Sequence, residues 1–532
     1  MAVNRLSNYM YGQWVQPDAD NHLDVENPST AETIARVPLS TAADLDEAVA
    51  AACHAFRGWS QTAASTRVAP LFRLAELMRA NEEQIARVLV EEMGKSLPDA
   101  RAELKRAIEN VEVACGMPVL QQGDKLVGAA ADIDGEVIRQ PIGVFAVIAP
   151  FNFPAMVPFW FLPYAIATGN CIVLKPSEQV PCTMQLLAGY IDQSGLPPGV
   201  FNMINGDRVI GEAITKHPGI NGVSIVGTSR VGRIVAQQCA ATGKRCQAFG
   251  GAKNHLVVMP DAPLDHVVRN MITSCFGCAG QRCMAASAIV CVGADTYSRV
   301  TDAFVQAARG ITVADPLDPA VADLPMVMGP VISAKAKAFI HQMIDTGWKE
   351  GATLALDGRA VRVPGHENGH FVGATILTDV RPGMKVHQTE IFGPVVVMLT
   401  ADSLDDAIDI INNHQYANGA SIYTDSGYAA RKFELETHVG MIGVNIGIPA
   451  PVAALPFGGA KASLLADTKT QGRAAIDFYT QAKVITRRFW PPPPPPEAPP
   501  PPEGPPPPEA PPPPEAPPPP EGPPPPEGPP EV

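Results

Sequence analysis

Between Thr41 and Glu112 apolar residues recur every three or four positions, as in "TAADLDEAVAAACHAFRGW" and "RVAPLFRLAELMRANEEQIARVLVEEMG". That spacing lays one apolar face along a helix. Thr41 offers a cap for the first run, and Gly94 a stop for the second. From Gly143 the pattern changes to short apolar runs alternating with helical ones. "GVFAVIA", "CIVLKP", "GVFNMIN", "GVSIVG" and "RCQAFGG" read as strands. "TMQLLAGYIDQSG", "VIGEAITKH" and "RVGRIVAQQCAATG" read as helices. Strand and helix alternating over short turns predict a parallel sheet with helices on its faces. Such sheets bind ligands beyond the carboxyl ends of their strands.

A second alternating region runs from about Asn254 to Gly447, with "HLVVMP", "ASAIVCVG" and "VVVMLT" as its clearest strands. Beyond the polar stretch after Lys461, "AIDFYTQAKVITRRFW" reads as one last strand-like element, a candidate arm for oligomer contacts.

Composition changes this picture at one end. From Pro491 the chain is almost wholly Pro, Glu, Ala and Gly, and holds 28 of the 56 prolines. Its glutamates at 497, 503, 509, 515, 521 and 527 recur every sixth residue. Polyproline II has three residues per turn, so these charges line one face of a rod of about 130 Å. The segment is expected to be disordered in the sense of lacking a packed core, as a solvated spacer or as a rod that docks a partner. It carries −7 of the formal charge of −14. The rest is mildly acidic with no basic run, which argues against nucleic acid as a partner. The N-terminus lacks the apolar core of a signal peptide, and "MVPFWFLPYAIATG" is too short and proline-broken to span a bilayer. A soluble, cytoplasmic protein with reduced thiols is expected, with no membrane partner.

The thiols cluster in "FGCAGQRCMA", Phe276 to Ala285, with Cys275 just upstream. Cys275 and Cys278 form a C-x-x-C, but Cys283 and Cys291 do not supply the second pair that structural zinc needs. Cys275 and Cys278 sit in an apolar run and read as packing. Cys283 follows Gly-Gln-Arg, where an arginine and open backbone amides can lower a thiol's pKa. On the residues alone it is a candidate nucleophile and no more.

"FGCAGQRCMA" resembles the catalytic-cysteine motif of the aldehyde dehydrogenase superfamily, F-x-x-x-G-Q-x-C. "APFNFP", "VLKPSE", "VGTSRVG", "EIFGPV" and "PFGGAK" resemble further stretches of that family in its order, and the resemblance spans residues 8 to 489. It implies an α/β fold. A Rossmann-like parallel-sheet NAD-binding domain (1–120 and 141–253) accompanies an α/β catalytic domain (254–447), a small oligomerisation arm (121–140 and 470–489) and the proline-rich tail (491–532). A homodimer or homotetramer is implied.

The resemblance also implies roles. The Cys283 thiolate attacks an aldehyde, and the oxyanion is met by the Asn152 amide and the Cys283 backbone N–H. Lys175 and Glu178 match the residues that hold the adenosine ribose, where a carboxylate repels a 2′-phosphate and favours NAD over NADP. "VGTSRVG" is neither G-x-G-x-x-G nor a P-loop, since Arg233 stands where the P-loop lysine would be. Gly227, Thr228 and Gly232 let a helix N-terminus approach the pyrophosphate. Glu390 matches the residue that positions the nicotinamide ribose, with Phe151 and Phe392 beside the cofactor. No metal is expected.

One residue of the pattern is missing. Hydrolytic members carry a glutamate that activates water, but the matching stretch here is "AFGGAKNH", with Phe249 in its place. A phenylalanine takes no proton from water. A thioester without such a base persists until another thiol, such as coenzyme A, takes the acyl group. "GAKNH" with "GQRCMA" and "APFNFP" resembles the CoA-acylating methylmalonate-semialdehyde dehydrogenases. That implies a small-molecule semialdehyde whose carboxylate Arg106 and Arg282 would anchor. "VLQQGDKLVGAA" and "KASLLADTKTQG" depart from the subfamily and are candidates for reshaping the substrate mouth. Two alternatives stay open: a hydrolytic NAD-dependent aldehyde dehydrogenase, and an idle body presenting the tail as a scaffold.

Overall fold

The computed structural model describes residues 4–17, 21–321, 324, 326–466 and 468–524. The first helical run forms Ala42–Trp59, closed by a capping box in which Thr41 and Asp44 satisfy each other's backbone N–H. The second does not form one helix. It breaks at Asn81, whose φ of −117° leaves the helical range, into Ala64–Ala80 and Glu82–Met93. Gly94, at φ +82°, ends the latter as expected of a left-handed cap. Ser96 then caps the helix Leu97–Cys115, accepting from the Asp99 N–H.

Two seven-stranded sheets organise the rest. In the first, Arg245–Phe249, Gly222–Val226, Val144–Ile148, Cys171–Lys175 and Phe201–Met203 run parallel in that order. The hairpin Asn8–Met10 and Gln13–Val15 adds an antiparallel edge. The chain fills one side of Val144–Ile148 and then crosses to the other, so a switch point lies between Val144–Ile148 and Gly222–Val226. Crevices of this kind hold ligands. In the second sheet Thr375–Thr378, Val395–Ala401, Ala286–Val292, Asn254–Val258, Gly419–Tyr423 and Met441–Val444 run parallel, with Thr353–Leu356 antiparallel at one edge. The central strands of both sheets are buried on both faces, which explains their unbroken apolar runs.

Lys125–Ala130, Ile133–Pro141 and Thr480–Arg488 form a separate three-stranded antiparallel sheet. The stretch read as one terminal strand is half helix. Gly472–Tyr479 is helical because Ala475, Ile476, Phe478 and Tyr479 are buried together, and only Thr480–Arg488 is extended. Residues 491–524 carry no helix or strand and are exposed; Glu527 and the rest of 525–532 lie outside the described residues. Among the described residues, no helix is long and apolar enough to cross a membrane.

Candidate active site

The helix Leu264–Phe276 runs into a tight turn in which Cys278, Ala279 and Gly280 all have positive φ. At Gly280 a Cβ would stand 2.2 Å from the Gly393 carbonyl oxygen, so only glycine lets this turn meet the Ile391–Pro394 loop. Cys283 follows in a turn closed by the Ala285 N–H donating to the Arg282 carbonyl at 3.1 Å. The Cys283 carbonyl is held by the side-chain amides of Asn254 (2.8 Å) and Asn418 (3.1 Å). Burial pushes the Cys283 thiol up to about 12, with a further rise from the Glu390 carboxylate. The backbone N–H groups of Cys283 and Met284 and the charge of Arg282 act in the opposite direction. Cys275 and Cys278 are buried, but Cys278 does more than pack: its Sγ accepts from Arg282 Nε at 3.3 Å.

Asn152 lies just beyond the carboxyl end of Val144–Ile148 and donates through Nδ2 to the Gln281 carbonyl at 3.0 Å. Its contact point is therefore separated from Cys283 by Arg282 alone. A primary amide has two N–H donors, so one remains for an oxyanion. The first sheet contributes its carboxyl ends to this site. Cys283 and Glu390 come instead from loops that enter strands of the second sheet at their amino ends, Ala286–Val292 and Val395–Ala401. The expectation that chemistry follows strands thus holds for one sheet and is reversed in the other.

Phe249 ends the strand Arg245–Phe249, 3% exposed, with its ring near those of Phe161 and Phe457 (centroids 6.0 and 6.2 Å). No proton acceptor stands at that position. Each residue of the following "GAKNH" ties one part of the site to another. Gly251 gives Glu390 room, since a Cβ there would fall 2.5 Å from Glu390 Oε2. The Ala252 N–H donates to Glu390 Oε1 at 2.9 Å. Lys253 Nζ donates to the carbonyls of Val386 and Thr389, and Asn254 holds Cys283 and Ala285. His255 Nε2 meets His387 Nε2 at 2.9 Å. Burial raises the Glu390 carboxyl to about 7 and lowers the Lys253 ammonium to about 7.

The residues expected to hold a dinucleotide lie around the switch point. Lys175 Nζ donates to Glu178 Oε2 at 2.9 Å at the end of Cys171–Lys175. Thr228 caps the helix Ser229–Ala241, whose first turn presents N–H groups to an anion. A Cβ on Gly227 would meet nothing within 4 Å, which leaves open space at that N-terminus, whereas on Gly232 it would strike Leu465 at 2.9 Å. The Phe151 and Phe392 rings meet edge-to-face at 5.7 Å. This open, capped helix end beside a buried lysine fits a dinucleotide. Leu464 bridges to Phe249, and the Leu465 N–H donates to the Ala248 carbonyl, so the divergent "KASLLADTKTQG" begins beside the end of the strand Arg245–Phe249.

The two arginines differ. Arg106 is 42% exposed and pairs with Glu109 at 2.8 Å, whose other oxygen accepts from the Ala453 N–H. Arg282 is 16% exposed and committed to Asp99, Cys278 Sγ and the Thr273 carbonyl. Sequence reasoning passed over Asp99, Lys95, Glu103, Asn254 and Asn418. The available signal was phase: Glu103 and Asn110 fall in the buried stripe of Leu97–Cys115 with Ala100, Leu104, Ala107 and Val111. A carboxylate there needs a partner.

The aldehyde dehydrogenase family model matches residues 14–485. Malonate-semialdehyde dehydrogenase 3 of Geobacillus kaustophilus is 44% identical over 484 residues, covering 91% of this chain and 99% of that relative. The malonate-semialdehyde dehydrogenase of Listeria monocytogenes is 42% identical over 487 residues, covering 92% and 98%. Among solved structures, one from Sinorhizobium meliloti, assigned as a methylmalonate-semialdehyde dehydrogenase and complexed with NAD, superposes with a TM-score of 0.89 at 39% identity, covering 92% of this chain and 98% of that one. The methylmalonate-semialdehyde dehydrogenase of Oceanimonas doudoroffii gives 0.89 at 40% identity, covering 92% and 99%.

Proposed function

The chain belongs to the aldehyde dehydrogenase family, and we propose that it is its CoA-acylating kind. It oxidises malonate or methylmalonate semialdehyde with NAD and coenzyme A, giving acetyl-CoA or propionyl-CoA and carbon dioxide. The observation that carries this reading is Phe249, buried against aromatic rings where a hydrolytic enzyme needs its base. The names of the relatives agree with it.

Cys283 is the nucleophile and adds to the aldehyde carbon. The charge that develops on oxygen is met by the free N–H of the Asn152 amide and by the Cys283 backbone N–H. Lys175 and Glu178 hold the adenosine ribose, the Ser229–Ala241 N-terminus the pyrophosphate, and Glu390 with Phe151 and Phe392 the nicotinamide end. NAD, when bound there, supplies the hydride acceptor. Cys283 is left as a thioester whose carbonyl accepts the electron pair when the β-carboxylate leaves. With no base at residue 249, the acyl group passes to the coenzyme A thiolate. Arg106 anchors the substrate carboxylate.

Product analysis with malonate semialdehyde and NAD, with and without coenzyme A, tests this. Acetyl-CoA is expected, with NADH formation stopping near one equivalent when coenzyme A is omitted. Full turnover to free acid without coenzyme A would establish the hydrolytic alternative, for which Glu390, the carboxylate acting on Cys283, is the available base. Assembly as a homodimer or homotetramer is assigned to the three-stranded sheet, where Leu126, Val127 and Val484 are exposed. The tail is assigned as a spacer or docking rod, so removing residues 491–532 should leave kcat unchanged.

A further inference from the structure

We infer that the buried pair Lys95–Glu103 is the device that positions the Asn152 oxyanion donor; this rests on the role proposed for Asn152 above. Both side chains are fully buried (0% exposed), and they pair with each other. Lys95 Nζ also donates to the Asn152 carbonyl at 2.7 Å and lies 4.1 Å from the centroid of the Phe153 ring. Glu103 Oε1 accepts from the N–H groups of Ala155 (2.9 Å) and Met156 (3.0 Å). One ion pair thus grips the segment at both ends, the lysine taking the carbonyl at Asn152 and the carboxylate taking the amides three and four residues on.

The segment needs such a grip. Asn152 to Ala155 lies between the strand that ends at Ile148 and the helix that begins at Met156, so no ladder of regular hydrogen bonds fixes it. The pair itself stands on rigid elements: Lys95 directly follows the left-handed cap Gly94, and Glu103 is in the second turn of Leu97–Cys115. Burying two charges gains little stability, because desolvation offsets their attraction. What the pair adds is direction. An oxyanion donor must stand about 3 Å from the developing charge, and a shift of about 1 Å can cost roughly 100-fold in rate. Lys95 and Glu103 touch neither substrate nor cofactor; they are positioning residues.

The test combines Lys95→Met with Glu103→Gln, which removes both charges together and keeps an acceptor oxygen for the Ala155 and Met156 amides. NADH formation is followed in a single turnover at saturating aldehyde and NAD without coenzyme A, in the unsubstituted chain and in Asn152→Ala. The expected result is a slowing of roughly 100-fold in the first background, at most threefold in the second, with the KM for NAD and Tm little changed. Equal slowing in both backgrounds, or none in the first, would overturn the inference. Lys95→Gln with Glu103→Gln restores a donor near the Asn152 carbonyl and should regain at least tenfold over the methionine variant. If the methionine variant does not fold, the glutamine pair decides: a slowing of up to about tenfold in the unsubstituted chain that is absent in the Asn152→Ala background supports the inference, and no slowing, or equal slowing in both backgrounds, overturns it. An unslowed Asn152→Ala overturns the oxyanion reading beneath it, whereas a slowed Asn152→Ala beside an unslowed clamp variant overturns the clamp alone.

Discussion

Arg282, next to Cys283 in sequence, is paired with Asp99 on the Leu97–Cys115 helix, and the other Asp99 oxygen accepts from the Cys278 N–H at 3.1 Å. One carboxylate therefore holds both ends of the turn that delivers Cys283. The charge of Arg282 keeps the Asp99 carboxyl below its usual range despite burial. Arg106, 42% exposed, pairs with Glu109 among the described residues.

The arginines should therefore separate. Arg106→Leu is expected to raise KM for malonate semialdehyde by about 10- to 100-fold, the worth of a charge-assisted hydrogen bond, and to leave propanal nearly unchanged. Arg282→Leu should lower kcat for both aldehydes alike and lower Tm, because it leaves Asp99 buried without its partner. Steady-state kinetics on the two aldehydes, with thermal unfolding, check this.

Burial, and after it the Glu390 carboxylate, hold the Cys283 thiol up. Glu390→Gln removes that charge and lowers the thiol pKa, so alkylation at pH 8 without NAD should quicken by roughly 3- to 10-fold, up to one pK unit. In the unsubstituted chain the alkylation rate should keep rising with pH through 9, with no plateau. An unchanged rate in Glu390→Gln would place the carboxylate out of reach of the thiol.

The role proposed for the Lys175–Glu178 pair, at the carboxyl end of Cys171–Lys175, bears on cofactor choice. Glu178→Ser removes the charge that opposes a 2′-phosphate and leaves Lys175 free to meet one. The ratio of kcat/KM for NADP over NAD should rise at least about tenfold, equivalent to about 1.4 kcal/mol. Parallel initial rates with the two cofactors measure it.

Three buried histidines set the acid limit. His255 and His387 share one hydrogen bond between their Nε2 atoms, which requires a single proton between them, and His414 donates through Nε2 to the His387 carbonyl. Burial lowers all three, His387 to about 3; neighbouring rings add to the effect at His255 and His387, and the charge of Lys253 at each of the three. The folded pKa values lie below the unfolded value of about 6.5. Stability is therefore present above pH 6.5 and is lost as pH falls below it, while the unfolded chain takes up protons that the folded one refuses. Each histidine contributes up to about 1.4 kcal/mol per pH unit. His255→Phe should flatten the fall in stability between pH 6.5 and 4.5 by about one proton, read from denaturant unfolding at several pH values. His387 lies three residues before Glu390, so activity should fall over the same window.

Much of this site was legible because its parts are local. A strand, a turn and a helix N-terminus leave their mark within a dozen residues, as in "VLKPSE" and "VGTSRVG", and both stretches follow the carboxyl ends of strands that flank Val144–Ile148. The missing base was equally plain, because one side chain either can or cannot take a proton. Phase errors arose where burial overrode local pattern: Gly472–Tyr479 is helical in a stretch that read as strand, and Asn81 divides a run that read as one helix. The polar supports were passed over for another reason. Beyond the buried phase of Glu103 on its helix, nothing local tells Lys95, Asp99 and Glu103 from charges that stay in water.

By itself the sequence determined the alternation of strands and helices, a candidate thiol at Cys283 and a phenylalanine at residue 249, since each follows from short-range pattern or from the identity of one side chain. Only the tertiary structure decided which charges are spent and which remain free. It sets Arg282 against Asp99, Lys95 against Glu103 and Asn152, and Glu390 against Ala252 and Cys283. Those pairings join residues eight to 183 positions apart, and a charge has no partner until the fold brings one within a few ångströms and removes the water between them.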